Sequence, residues 1–175
     1  MQSAYLSDIK KIFLNYKTMG EKTFAQLNDE HITWQYNAES NSIATIVKHI
    51  WGNMLSRWTD FLTTDGEKPN RQRDAEFVND ITTKAAMMVK WEEGWACLFN
   101  ALDSLSPADL EKTVHIRGEA HTVTEAINRQ LAHYPYHIGQ IVYIAKMIKD
   151  AEWQTLSIAR NKSAEFNAEK FSQKH

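Results

Sequence analysis

With a single cysteine, Cys97, the chain can form no internal disulfide, so packing, hydrogen bonding or a bound group must hold it folded. One thiol is also compatible with a reducing cytoplasm. Three prolines and six glycines in 175 residues are too few turn-formers for a many-stranded protein and fit a few long helices with few connections. No apolar run approaches the roughly 18 to 20 residues that span a bilayer. The start, Met-Gln-Ser-Ala-Tyr-Leu-Ser-Asp-Ile-Lys-Lys, lacks the apolar stretch of a signal peptide. An excess of one charge is missing too: 20 basic residues face 22 acidic ones, the formal charge is -2, and no like-charge block reaches five residues. Such a balance attracts neither a nucleic-acid backbone nor an anionic membrane. These absences describe a soluble, cytoplasmic protein without nucleic-acid or membrane partners.

What the chain has in quantity is apolar area. Hydrophobic residues make up 43% of it, with six Trp, six Tyr and seven Phe, enough for a packed core in a length typical of one domain. Residues 1–175 are therefore read as a single domain. Tyr5, Ile9, Ile12, Phe13, Tyr16, Met19, Phe24 and Leu27 recur at spacings of three and four and predict an amphipathic helix of about 25 residues. Gly20 inside it is a weak point, costing up to about 1 kcal/mol against Ala. The period lapses over residues 28–41, a linking loop that holds His31, Trp34 and Tyr36.

A second helix is predicted from a cap within residues 40–42 to about Leu62, striped by Ile43, Val47, Ile50, Met54, Trp58 and Phe61. Ile46, His49, Asn53 and Arg57 form a second line on its shoulder, so the three polar side chains project in one direction. Residues 63–79, rich in charge and holding one Gly and one Pro, read as a loop with at most a short turn of helix. Asn79 or Asp80 can cap a third helix through Ile81, Ala85, Met88, Trp91, Trp95, Leu98, Phe99 and Leu102, ending before Ser106 and Pro107. Residues 112–123 alternate on each side of Gly118 and predict a small hairpin, across which His115 and His121 could face each other. Thr122 and Glu125 have the capping-box spacing and open a fourth helix striped by Ile127, Leu131, Tyr134, Ile138, Ile141, Val142, Ala145 and Ile148. The architecture expected is all-α, an antiparallel four-helix bundle with a hairpin between helices three and four. The tail, residues 150–175, is expected to wrap over it through Trp153, Leu156, Ile158, Phe166 and Phe171.

His133 and His137 lie four residues apart on the fourth helix. At 3.6 residues per turn their rings stand on one face, where a single helix can offer two imidazole nitrogens to one ion. Imidazole suits Zn, Ni, Cu or Fe better than Mg or Ca. His49, on the corresponding shoulder of the second helix, is the candidate third ligand, while His31 and His175 are the weakest histidine candidates. Three neutral imidazoles would leave a coordination position open for water or substrate. Gln140 or Asn53 could orient a ring or a bound water. Pro135 removes a backbone donor between the paired histidines, and a kink or local widening is expected there. Cys97 reads as a small buried hydrophobe.

The helix-two histidine followed much later by His133-Tyr-Pro-Tyr-His-Ile-Gly-Gln-Ile141 resembles the DinB-like family of metal-binding four-helix bundles, over nearly the whole chain. Residues 53–69 and 156–167 look like a subgroup of that family without an assigned function, and Pro135 between the ligands departs from the family pattern. The resemblance implies a divalent metal, zinc or nickel, held by His49, His133 and His137, and a homodimer. It also implies a low-molecular-weight thiol as cosubstrate, since characterised relatives include bacillithiol-dependent S-transferases and a mycothiol-dependent isomerase. Asn53, Arg57 and Arg160 would then be candidate anion holders for the thiol, with Gln140 beside the substrate. The function implied is thiol transfer to small electrophiles; the alternatives are a metal-dependent hydrolase and a non-enzymatic stress-related binding protein.

Overall fold

A computed structural model describes residues 4–172; His175 lies outside the described residues. In chain order the elements are α1 (Ala4–Phe24), α2 (Asp29–Thr33), α3 (Ile43–Trp58), α4 (Lys84–Ser104), β1 (Thr113–Ile116), β2 (Glu119–Thr122), α5 (Val123–Lys149) and α6 (Ser163–Ser172), with short 3-10 turns at Asp74–Phe77, Pro107–Asp109 and Asp150–Glu152. The described chain is thus mostly helical, and its one sheet is an antiparallel β-hairpin. None of its helices is long and apolar enough to cross a membrane.

The helix starts follow the small polar residues that satisfy their first free N–H groups. Ser42 Oγ accepts from Thr45 N at 3.1 Å. Thr122 Oγ1 accepts from Glu125 N at 3.1 Å while Glu125 Oε2 accepts from Thr122 N at 2.7 Å, completing the capping box of α5. Two starts differ from expectation. The loop over residues 28–41 contains the single-turn helix α2, because Asn28 Oδ1 accepts from His31 N at 3.0 Å and His31 Nδ1 accepts from Asn28 N at 3.3 Å. The third long helix begins at Lys84 with Thr83 as its cap, Thr83 Oγ1 accepting from Ala86 N at 3.2 Å. Asn79 and Asp80 are engaged elsewhere: Asn79 Oδ1 accepts from Ser42 Oγ at 2.8 Å and Asp80 pairs with Lys48 at 2.6 Å, which ties the preceding loop to α3.

α3 packs on α4 and α5, and α1 on α5 and α4. Their shared interior is aromatic. Phe13 meets Tyr134 at 5.9 Å and Trp95 at 6.4 Å between ring centroids, and Trp95 meets Trp91 at 5.4 Å, all in tilted or edge-on arrangements. Edge contacts of this kind add roughly 0.5 to 1.5 kcal/mol each beyond area burial. Trp91 and Trp95 are fully buried, so neither lines an opening. Inside α1, Gly20 leaves room for a side chain of α4: a Cβ there would lie 2.5 Å from the Trp91 ring. Its flexibility is the incidental cost of letting Trp91 in.

α5 is helical without a break through Pro135, with Tyr134 and Ile138 fully buried on either side of it. The hairpin register pairs His121 with Val114 and His115 with Ala120, so the two histidines do not oppose each other. The tail touches the helices through Trp153, which packs on the core, and through Gln154, whose N–H donates to Gln26 Oε1 at 2.8 Å. Beyond this it does not wrap: α6 buries no residue, and Phe166 and Phe171 are exposed. Its apolar residues are too sparse to offset the ordering of a longer strap.

The loop between α3 and α4 is clasped to the hairpin turn by one carboxylate. Asp65 Oδ1 accepts from Glu67 N at 2.7 Å and Arg117 N at 2.8 Å, and Oδ2 accepts from Gly118 N at 2.8 Å. Arg117 and Gly118 both have positive φ, 55° and 77°, the turn that matches strand twist in a two-residue hairpin. The N–H of Glu67, then those of Gly118 and Arg117, hold the Asp65 carboxyl at about 2.

Two outcomes are expected. Gly20→Ala, which would stabilise an ordinary exposed helix, should lower stability by about 1 to 3 kcal/mol through collision with Trp91, read as a fall in denaturation midpoint. Because the folded pKa of Asp65 lies below its ordinary value of 3.8, the clasp contributes fully above about pH 4 and is lost as pH falls through about 2. Asp65→Ala should remove that part of the acid dependence in a pH series of melting curves.

Candidate metal centre

α3 and α5 bring His49, His133 and His137 together, with one nitrogen from each ring within 4.8 Å of the others. They form the cluster among the described residues that could hold a divalent metal. His133 Nε2 lies 3.0 Å from His137 Nε2 and 3.3 Å from His49 Nε2. Ligand nitrogens about 2.0 to 2.1 Å from a tetrahedral ion stand about 3.3 Å apart, and these two separations are close to that.

The other ring nitrogens determine which way the lone pairs point. His49 Nδ1 donates to Glu76 Oε2 at 2.9 Å, His137 Nδ1 to Gln140 Oε1 at 2.9 Å, and His133 Nδ1 to Gln130 Oε1 at 3.3 Å. With the proton of each neutral ring on Nδ1, each Nε2 carries a bare lone pair. Three lone pairs then meet with no proton between them, which repels unless a cation lies among them. The donor set therefore fits a divalent ion that favours imidazole. Burial, then the neighbouring His137, His49, Arg57 and Arg71, push His133 down to about 3. Burial also lowers His137, against the Gln140 hydrogen bond that raises it. Both rings are neutral at pH 7 and free to coordinate.

Glu76 is the best-anchored of these partners. It is 4% exposed, and Arg71 grips it in two places, Nε to Oε1 at 2.7 Å and Nη2 to Oε2 at 2.9 Å. Burial alone would raise its pKa, but the bonds from His49 and Arg71 leave it lowered. Arg71 continues to Glu67 at 3.1 Å. Space for the carboxylate comes from Gly52 on α3, where a Cβ would lie 2.3 Å from Glu76 Oε1. Phe77, next in the 3-10 turn, stacks on the His49 ring at 4.9 Å, and Tyr136 meets His137 edge-on at 5.0 Å. Phe77 is 37% and Tyr136 63% exposed while His49 is 6% exposed, so these two rings lie between the cluster and solvent.

The remaining candidates separate. Gln140 stands on His137. Asn53 does not reach a ring: its Oδ1 accepts from Tyr134 OH at 3.0 Å, and Tyr134 OH accepts from Trp58 Nε1 at 3.0 Å, a buried polar chain linking α3 to α5. Arg57 is buried, with Nε and Nη1 lacking partners. Arg160 is exposed in the turn before α6. His31 serves the cap of α2, and His115 and His121 stay in the hairpin. Cys97 is half-buried and its thiol is raised by that burial.

Sequence reasoning missed Glu76, Arg71 and Gln130. Gln130 had a signal: it lies three residues before His133, as Gln140 lies three after His137, and such residues are helix neighbours. Gly52, three residues after His49, marked a space beside a ligand. Glu76 and Arg71 had none, because the aperiodic loop that carries them gives no facing relation to α3.

A family model matches residues 1–162, described as a protein of unknown function, DUF1572. The chain belongs to the DUF1572 family. Neither the curated proteins nor the solved structures give a match. The family description carries no reaction, so the chemistry of this DUF1572 protein rests on the cluster itself.

Partners of ligand histidines set ring orientation and basicity, and their loss typically costs about 10- to 100-fold in metal affinity. Glu76→Gln should weaken zinc binding within that range in a competition titration. Gly52→Ala should do likewise without touching any hydrogen-bonding group, by displacing Glu76.

Proposed function

We propose that this chain is a DinB-like, metal-dependent S-transferase that joins a low-molecular-weight thiol to small electrophiles, built as a single-domain antiparallel four-helix bundle and acting as a cytoplasmic homodimer. The observation that carries the reading is the meeting of three Nε2 lone pairs, each fixed by an oxygen on the far side of its ring. His49, His133 and His137 would hold the ion, zinc or nickel by the resemblance. Bound there, it would supply a Lewis acid with a position left for an exchangeable ligand, lowering the pKa of a coordinated thiol.

The chain's own residues support that chemistry in separate ways. Glu76, Gln130 and Gln140 keep the imidazole protons on Nδ1 and so keep the coordinating edge bare. Phe77 and Tyr136 offer apolar faces to an electrophile arriving past them. The one cysteine is not the nucleophile: it lies between Thr59 Oγ1 at 3.7 Å and the Met54 carbonyl at 3.8 Å, and burial keeps its thiol protonated. The thiol must come from outside. Gln140 acts from behind His137, Asn53 is committed to Tyr134, and Arg160 is exposed before α6, so Arg57 is the anion holder whose surroundings support the role.

Elemental analysis should find about one divalent ion per chain in the wild type and little in His49→Ala. The loaded protein should then accelerate displacement of chloride from 1-chloro-2,4-dinitrobenzene by added thiols, forming the S–C bond, breaking C–Cl and releasing the thiol proton to solvent, with His133→Ala at background. Thiol-independent cleavage of an activated ester would favour the hydrolase instead. A metal-loaded protein inactive in both assays would point to a binding role, and a wild type that takes up no divalent ion would end the metal reading altogether.

A further inference from the structure

Arg57, two turns along α3 from His49, is 4% exposed. Its Nε and Nη1 are buried without a hydrogen-bond partner. A guanidinium is charged at any ordinary pH and carries five N–H donors, and burying such a charge unpaired is among the costliest arrangements a fold can keep. The carboxylates in its neighbourhood are already committed. Asp65 accepts from three backbone N–H groups, those of Glu67, Arg117 and Gly118. Glu67 pairs with Arg71 at 3.1 Å and with Arg117 at 3.3 Å. Glu76 is gripped by Arg71 and His49. Around Arg57 the local count therefore stays positive.

The placement of the guanidinium is specific. Gly66 makes room for it, since a Cβ at residue 66 would lie 2.5 Å from Nη1 and 3.0 Å from Cδ. Gly66 in turn is held by its N–H donating to the His115 carbonyl at 2.8 Å, next to the Asp65 clasp. The loop is thus shaped around an arginine to which it supplies no acceptor. His49, Asn53 and Arg57 follow one another at four-residue steps along one face of α3, and Asn53 accepts from the hydroxyl of Tyr134, the residue next to His133, so the unpaired cation stands on the same side of the helix as the imidazole cluster.

We infer that Arg57 is the oxyanion-binding group of the metal site, holding a carboxylate or phosphate of the same molecule that coordinates the ion. The inference rests on the metal reading for its purpose, though not for its test. It narrows the cosubstrate to an anionic thiol, one with its oxyanion at a fixed distance from sulfur, and it predicts discrimination against neutral thiols of equal length.

The test has two arms. In the first, cobalt(II) replaces the native ion, and ω-mercaptocarboxylates with one to five methylenes are titrated beside the ω-mercaptoalcohols of equal length, following the thiolate-to-cobalt absorption. At the matching length the wild type should prefer the carboxylate by about tenfold or more, as charge-assisted bidentate pairs do. Arg57→Met should lose the preference while its d–d spectrum stays unchanged, and Arg57→Lys should retain part of it. In the second arm the metal-free protein is melted alone and with acetate or inorganic phosphate. Arg57→Met should melt at or above the wild type, because an unpaired buried charge has been exchanged for an apolar chain. Only the wild type should gain from the anion, and the more effective one names the oxyanion. A wild type without preference at any length, a preference that survives in Arg57→Met, or an Arg57→Met protein that melts well below wild type would each overturn the inference, the last by making Arg57 an ordinary structural group. Absence of a cobalt spectrum in the wild type would instead bring down the metal reading, with the melting arm still deciding Arg57.

Discussion

Three imidazole lone pairs aimed at one point cannot be left alone, and much of the architecture near them exists to keep them so aimed. Neutral imidazoles packed in a core ordinarily settle the matter between themselves, one ring's N–H donating to the next ring's bare nitrogen. Here that solution is blocked three times over, because Glu76, Gln130 and Gln140 each claim the proton from behind. Histidines four apart on a helix edge arise readily by chance. Histidines whose protons are all drawn outward do not, since each anchor must be placed and each costs side-chain entropy to hold.

The anchors are unequal, and the inequality follows from where each is carried. Gln130 and Gln140 stand on the helix that bears the histidines they serve, three residues away in either direction, so α5 positions two rings by its own periodicity. His49 faces α5 from α3, and its anchor comes from a third place, the 3-10 turn in the loop that follows. A loop is a poor platform for a carboxylate that must stay within 2.9 Å of a ring. Bidentate Arg71, the notch at Gly52 and the stacking of Phe77 compensate, and Asp65 fastens the same loop to the hairpin. Two of the glycines in this region are spaces for charged side chains, Gly52 for Glu76 and Gly66 for Arg57.

What could be read in the chain beforehand follows the same division. α1, α3, α4 and α5 were legible because their apolar residues recur with the helical period, and Thr122 with Glu125 marked the start of α5 to the residue. The clustering of the three histidines was legible for a related reason: two of them share one helix face, and the third lies on the shoulder of another stripe. Periodicity says nothing about a residue whose neighbours are remote in sequence. Thr83 displaced Asn79 and Asp80 as cap because those two side chains had better partners on α3, which only packing could reveal. Gly20 looked like a flaw until Trp91 was seen to lie against it. The isolated aromatics of the tail beyond Trp153 do not anchor it, because apolar residues without a helical or alternating period present no continuous face to pack.

The arrangement around the imidazole cluster and Arg57 is expensive. Converging lone pairs, a buried guanidinium without an acceptor and a proline inside the longest helix all work against stability, while the packed rings of Phe13, Trp91, Trp95 and Tyr134 and the hydrogen-bonded chain from Trp58 through Tyr134 to Asn53 work for it. Selection for stability alone would remove the first group by single substitutions, an apolar side chain for Arg57 or for one histidine. Their occurrence together on one side of α3 and α5, beside partners placed with care, is the pattern of local rules broken in favour of a ligand. The two unmet demands are complementary in sign: the imidazole triangle calls for a cation, and Arg57 for an anion. One metal ion carrying one negatively charged ligand would satisfy both, and neither an empty structural pocket nor a sealed structural metal would.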